Sequence, residues 1–244
     1  MEFISLLTRL AVSGIALAAC EKTLYLTIDT GSMGPAEEIA AILRKHKVKA
    51  TFFVANEKTT RGDMSMDASW GPFWKSLVAD GHAFGSHTYR HWYFRKDLPG
   101  GGVAYVGPGG KRELLDRAGV CREIQKSEQV FQTIAGRGYD AIWRAPGGKT
   151  TPFAIKSASS CGYSEHVGWA PAGFLGDELP SDKYPNQLLL RNAVRDLKDG
   201  DIMVMHLGIW SRKDPFWPML DPLLTQLKAK GFCFATIPER RRKK

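Results

Sequence analysis

Short apolar runs alternate with amphipathic stretches along most of this chain. Leu24 to Asp29 is dominated by apolar residues until its last position and reads as a short buried strand. Pro35 then opens a segment through His46 with Ile39, Ile42 and Leu43 on one face and Glu37 and Glu38 in the first turn, the pattern of a helix start. Thr51 to Ala55 predicts a second strand, Trp70 to Asp80 a helix that stops before Gly81, and His82 to Ser86 a third strand. Arg112 to Ala135 carries one long helical pattern with a candidate break at Gly119. Strands are predicted at 141–145, 163–168, 201–206 and 232–237, with helices at 151–160, 186–198 and 216–230 between them. The regular alternation of buried strands with helices predicts parallel pairing in an α/β fold. Seven strand candidates suit a distorted (β/α)7-type barrel in a single domain; an open doubly wound sheet is the alternative. The Gly-rich stretch from Pro99 to Gly110 has no G-K-[ST] ending, so it is no phosphate loop, and it reads as an insertion loop beside a groove.

The 244 residues suffice for one sizeable core. Hydrophobic residues at 43% and charged residues at 24% are globular proportions. The net charge of +9 favours anionic partners, but much of the excess lies in Arg240 to Lys244, within a basic tail, 239–244, that reads as a frayed terminus. No helix is studded with Lys and Arg and no nucleic-acid motif occurs, so nucleic acid is not an expected partner. Leu10 to Ala19, preceded by Arg9, suits the apolar part of a signal peptide and is too short to span a bilayer. Residues 1–22 are therefore expected to be an export signal, and 23–238 the working domain, in the periplasm or outside the cell. Leu17-Ala18-Ala19-Cys20 resembles a lipobox, which would anchor Cys20 to a membrane; Ala16-Leu17-Ala18 offers ordinary cleavage instead, and a plain core helix is the other reading. No pair of Cys20, Cys121, Cys161 and Cys233 has C-x-x-C spacing. With Cys20 lipidated or removed, one disulfide and one free thiol are expected, in a monomer.

Polar residues gather where the predicted strands end: Asp29, His87, Arg144 and His206. In parallel α/β barrels that rim is where active sites are built. His87 and His91 stand four apart, and on a helical turn they would share one face and reach one ion.

Four ordered motifs make the pattern specific. The chain resembles the polysaccharide deacetylases of carbohydrate esterase family 4 from about Leu24 to Ile237. Thr27-Ile28-Asp29-Thr30-Gly31 stands where that family reads T-F-D-D-G. His87-Thr88-Tyr89-Arg90-His91 matches H-[ST]-x-x-H, Arg144-Ala145-Pro146-Gly147 matches R-x-P-[YG], and Met205-His206-Leu207 matches the last motif. The resemblance implies Asp29 as catalytic base, His206 as general acid, Arg144 as the group that orients the base, and His87 and His91 as metal ligands. It also implies a divalent ion, zinc first, with cobalt or nickel as alternatives. Pro146, Gly147, Trp169 and Leu207 are the expected substrate-binding residues, and Trp70, Trp74, Trp92, Tyr93 and Trp210 are further sugar-stacking candidates.

Two departures stand out. Thr30 occupies the position of the third metal ligand, a carboxylate in the family, and a hydroxyl is a poorer donor to zinc. Thr30 could bind weakly or through water, Asp63 or Asp67 could replace it, or the protein could be a metal-poor, non-catalytic glycan-binding relative. No Asp-Trp pair follows Trp169; Asp177 is the nearest carboxylate. The implied reaction is hydrolysis of N-acetyl groups on a polysaccharide, peptidoglycan or chitin-like.

Overall fold

Successive side chains of a strand point to opposite faces, and that alternation decides where this chain puts its chemistry. The computed structural model describes residues 20–242. In chain order the first elements are β1 (Lys22–Asp29), α1 (Ala36–Lys45), β2 (Thr51–Val54), α2 (Gly71–Ala79) and β3 (Ala83–Ser86). Then come β4 (Tyr93–Asp97), β5 (Val103–Val106), β6 (Arg112–Leu115), α3 (Arg117–Ala135), β7 (Ile142–Trp143), α4 (Pro152–Ser160) and β8 (Glu165–His166). The last are α5 (Asn186–Asp196), β9 (Ile202–His206), α6 (Leu220–Ala229), β10 (Phe232–Phe234) and α7 (Ile237–Arg242).

Leu24, Leu26 and Ile28 of β1 are fully buried in the main apolar cluster with Ile39, Ala40 and Leu43 of α1. Burying each such aliphatic side chain is worth about 1.5–3 kcal/mol. Tyr25, on the other face of β1, joins Phe53, Ile142, Val167 and Ile237 in a smaller inner cluster. Thr27 and Asp29 share that inner face. α1 carries Glu37 and Glu38 in its first turn and Arg44 and Lys45 in its last, which complements the helix dipole.

The main sheet is seven-stranded and parallel, in the order β10-β1-β2-β3-β7-β8, with β9 also paired to β1. The irregular segment 170–175 carries the curl from β8 round to β9: the Ala170 N–H donates to the Ile202 carbonyl at 3.0 Å and the Leu175 N–H to that of Val204 at 3.3 Å. The result is the expected distorted barrel of parallel strands in one domain.

Three local expectations change. First, the stretch expected to be an insertion loop holds β5, and β4, β5 and β6 form an antiparallel meander. Residues 112–115 therefore belong to a strand, and the helix begins only at Arg117. Asp116 caps it by accepting the Gly119 N–H at 2.6 Å, so Gly119 lies in the first turn rather than at a break. Second, the basic end is no frayed tail within the described residues: buried Ile237 fills the inner cluster, Arg240 lies 5.5 Å from the Tyr25 ring, and Arg241 pairs with Glu165. Third, Cys20 is bonded to Cys233 and Cys121 to Cys161, so no free thiol is left. The register of β1 on β10, with Thr23 opposite Cys233, brings Cys20 to its partner. A sulfur so engaged cannot carry a lipid, and the boundary at residue 22 falls at the first residue of β1. The rest of the expected export signal, residues 1–19, lies outside the described residues. No helix among the described residues is long and apolar enough to cross a membrane.

Candidate active site

β1 and β9 lie side by side in a register that sets Asp29 opposite His206. Both strands end there, on the inner face. Arg144 follows directly on β7 and is fully buried. Its Nη1 donates to Asp29 Oδ1 at 2.7 Å, its Nε to the Val167 carbonyl at 2.9 Å and its Nη2 to that of Gly168 at 3.2 Å. Phe53 and Trp169 flank the guanidinium at 4.3 and 5.3 Å from their ring centroids. His87 Nδ1 donates to the Arg144 carbonyl at 2.9 Å, which fixes the tautomer and leaves the Nε2 lone pair 3.4 Å from Asp29 Oδ2. Opposite, Asp177 accepts the backbone N–H of His206 at 2.7 Å and lies 3.1 Å from its Nδ1. Asp177, the carboxylate nearest to the missing Asp-Trp pair, is thus the partner of the expected general acid.

These pairs set opposite protonation states. Burial alone would raise the Asp29 pKa, but Arg144, with His87 and His206, outweighs it and holds the carboxyl below its usual value. Burial lowers His87 to about 3, so it is neutral and able to donate its lone pair. Burial also disfavours a charged His206, but the Asp177 carboxylate overrides it and lifts the imidazole to about 9. At neutral pH the site therefore offers an ionised carboxylate and a protonated imidazole, a base and an acid on neighbouring strands.

The loop that carries the two histidines is not a helical turn. Thr88 and His91 both have positive φ, 62° and 55°, a conformation that a β-branched residue adopts only under constraint. The constraint comes from elements distant in sequence. Tyr105 of β5 donates to Thr88 Oγ1 at 3.2 Å and to Glu123 at 3.1 Å. Glu123 of α3 takes the Arg90 Nε at 2.6 Å and its backbone N–H at 3.1 Å, while Arg90 also binds Glu113 of β6. The meander and α3 thus clamp the loop and bring the two imidazoles to 4.8 Å between ring centroids.

A cleft opens over these groups, lined by Asp29, His87, His91, His206, Trp169 and Gly147, with Tyr93, Phe174, Glu178 and Val204. Gly147 has φ 65° and its bare backbone faces Tyr93; a Cβ there would come within 3.2 Å of the phenol ring. Other expected residues lie elsewhere. Leu207 is fully buried in the main cluster because it follows His206 on the opposite face of β9. Pro146 is buried beneath the turn and is not among the cleft-lining residues. Trp70 and Trp74 are core residues, and Trp92 packs on Tyr105 and beneath Arg90. Trp210 is 62% exposed.

The candidates for a third metal ligand all have hydrogen-bond partners of their own. Thr30 lies just past the end of β1, and its Oγ1 accepts the Ala55 N–H at 3.1 Å. Asp63 is occupied by Ser69, Thr59 and Trp70, and Asp67 by the Met64 N–H. Among the described residues no group of three or more His, Cys, Asp or Glu side chains is placed to hold a metal ion as it stands. The carboxylate that sequence reasoning missed is Glu57, whose Oε1 stands 3.4 Å from His91 Nδ1 and whose Oε2 is buried without a hydrogen-bond partner. Two imidazoles flanked by Asp29 and Glu57 offer the nitrogen and oxygen donors that a divalent ion accepts.

Known proteins resemble this chain in sequence and in fold. The polysaccharide deacetylase family profile matches residues 17–166. The chain is 27% identical over 203 residues to the uncharacterized protein YlxY of Bacillus subtilis, covering 83% of this chain but only 52% of that protein. It is 24% identical over 220 residues to the peptidoglycan-N-acetylmuramic acid deacetylase PdaA of the same organism, covering 90% of this chain and 71% of PdaA. Among solved structures, a carbohydrate esterase family 4 pseudoenzyme from Bacillus anthracis superposes with a TM-score of 0.65 at 21% identity, covering 89% of this chain and 64% of the other. By its profile match over more than half of its length, this chain belongs to the polysaccharide deacetylase family.

Proposed function

We propose that this protein is a metal-dependent hydrolase that removes N-acetyl groups from a polysaccharide outside the cytoplasm, peptidoglycan amino sugars or chitin-like oligomers. One observation carries the reading. Asp29 held by Arg144, and His206 held by Asp177, are register partners on one cleft that also receives His87 and His91. An amide resists hydrolysis because its carbonyl is a weak electrophile and its nitrogen a poor leaving group. A divalent ion held by the two imidazoles would supply Lewis acidity, making the acetyl carbonyl more electrophilic and water more acidic. Asp29, kept ionised by Arg144, takes the proton of the attacking water. His206, kept protonated by Asp177, gives its proton to the departing sugar nitrogen. Gly147 lets the acetyl group approach the backbone closely, and Trp169 and Tyr93 offer ring faces to a sugar. The deacetylase relative PdaA supports a peptidoglycan substrate, and two disulfides suit an oxidising compartment.

A second reading, a glycan-binding protein without turnover, has one observation in its favour: with Thr30 in place of a carboxylate, no group of three His, Cys, Asp or Glu side chains among the described residues is placed to hold a metal ion. Acetate release from peptidoglycan and from chitin oligomers, with and without chelator, separates the two. Chelator-sensitive release that Asp29→Asn abolishes, with the fold and metal content retained, is the expected result. No release from either polymer at full metal loading would leave the binding reading.

A further inference from the structure

Glu57 is unusually well presented for a residue in a long connection. Its N–H donates to Ser65 Oγ at 2.9 Å and its carbonyl accepts the Ser65 N–H at 2.8 Å. Ser65 is fully buried and its hydroxyl also donates to the Ala55 carbonyl at 2.6 Å. The preceding Asn56 gives its N–H to the Tyr89 carbonyl at 2.9 Å and its side-chain amide to the Tyr89 hydroxyl at 3.1 Å. The segment that carries Glu57 is therefore stitched to the loop that carries His87 and His91.

The side chain itself is unsettled. Oε1 lies 3.4 Å from His91 Nδ1, longer than a good hydrogen bond. Oε2 has no hydrogen-bond partner although it is buried, which is unfavourable for any polar group and more so for a charged one. A cation answers both features. Two donors on a tetrahedral zinc, each about 2.0–2.1 Å from it, stand about 3.4 Å apart. The competing carboxylates are committed: Asp29 Oδ1 to Arg144, Asp63 and Asp67 to their own loop, and Asp177 to His206. Glu178 lines the cleft but acts on His206.

We propose that Glu57 is the third protein donor of a cation site shared with His87 and His91, the carboxylate that replaces the one missing at Thr30. The inference rests on the functional reading above, since it concerns the same ion. It places the missing ligand on the connection after β2 instead of at the end of β1.

The test is zinc affinity, measured on metal-stripped protein by competition with a chromophoric chelator. Glu57→Gln is expected to bind zinc at least 100-fold more weakly than wild type while melting at the same temperature without metal. A loss of that size exceeds the 10–100-fold typical of a group that merely orients a ligand. Thr30→Asp placed in the Glu57→Gln protein is expected to recover at least 10-fold, because it returns a carboxylate from the neighbouring strand. The visible absorption of the cobalt-loaded protein should change between wild type and Glu57→Gln. If the Gln variant does not fold, Glu57→Ala carries the same expectations. A Gln or Ala variant that binds zinc within three-fold of wild type, or gives an unchanged cobalt spectrum, overturns the proposal. In that case a wild type that still binds metal and releases acetate leaves the functional reading standing; a wild type that binds no zinc removes both.

Discussion

Replacing Asp177 by Asn tests the acid–base assignment most sharply. The two side chains are nearly isosteric, and the Asn oxygen can still accept the His206 N–H that Asp177 now takes at 2.7 Å. What disappears is the negative charge 3.1 Å from Nδ1, in a pair whose side chains are only 17% and 5% exposed. That charge is the main influence lifting His206 from 6.5 to about 9, a displacement equivalent to about 3 kcal/mol in favour of the imidazolium. Without it burial dominates and the pKa falls to 6.5 or below. If protonated His206 donates to the leaving nitrogen, kcat/KM for acetate release in the wild type should decline only as the pH rises through about 9. In Asp177→Asn the decline should begin at least two pH units lower, giving a loss of about thirty-fold at pH 8 and a much smaller one at pH 6. Stability follows the same sign. A histidine whose pKa is higher folded than unfolded stabilises the fold fully below about 6.5, and that contribution vanishes as the pH rises to about 9. The Asn variant should therefore be destabilised at pH 6 and nearly indistinguishable from wild type in urea unfolding at pH 10. An alkaline limb that stays near 9 in the variant, or a loss of equal size at every pH, would refute the assignment of His206 as the acid.

Arg144→Met should cost about 3–5 kcal/mol in urea unfolding, because it leaves Asp29 buried without its counter-charge; adding Asp29→Asn should recover part of that loss by removing the stranded charge. The Asp29 pKa should also rise in Arg144→Met, moving the acid limb of whatever activity remains to higher pH. The Cys121–Cys161 bridge closes a separation of 40 residues, so Cys121→Ser with Cys161→Ser should lower stability by about 4 kcal/mol on the chain-entropy account. The same pair should leave KM unchanged, since neither cysteine lines the cleft.

The sequence exposed Asp29, Arg144 and His206 because each ends an apolar run, and the positions where polarity breaks such a run are the barrel rim. It misplaced their neighbours for a reason that was also written in the sequence. A period of two puts Leu207 on the face opposite His206, so a motif position alone did not license a role for it. Applying the alternation to β9 would have selected Val204 for the cleft instead of Leu207, as the structure does. Other features had no local signal. The positive φ angles at Thr88 and His91 are imposed by Tyr105 and Glu123, well away along the chain, so an i, i+4 spacing was read as a helical turn. Glu57 is chemically unremarkable in its own stretch and gains meaning only through Ser65 and Tyr89. The Arg112–Leu115 strand was hidden because its pairing with β5 outweighs the helical pattern it shares with the residues that follow.

The inner face of this barrel changes character along its axis. Tyr25, Ile142 and Ile237 fill its lower part with apolar volume, and Phe53 and Val167 carry that packing up to the Arg144 guanidinium. At the strand ends the same face carries Asp29, Arg144, His87 and His206, nearly all buried and each satisfied by another member or by Asp177. Burying charge is unfavourable unless every charge is paired, so the pairing that keeps the fold intact is also what sets the protonation states. Arg144 cannot compensate Asp29 without keeping it ionised, and Asp177 cannot compensate His206 without keeping it protonated. Because Asp29 and His206 are register partners on adjacent strands, the base and the acid are set side by side by the same backbone pairing that closes the sheet. Folding this barrel rim and arming it for proton transfer are therefore one electrostatic requirement, and a substitution that relieves one pair should disturb stability and the pH profile together.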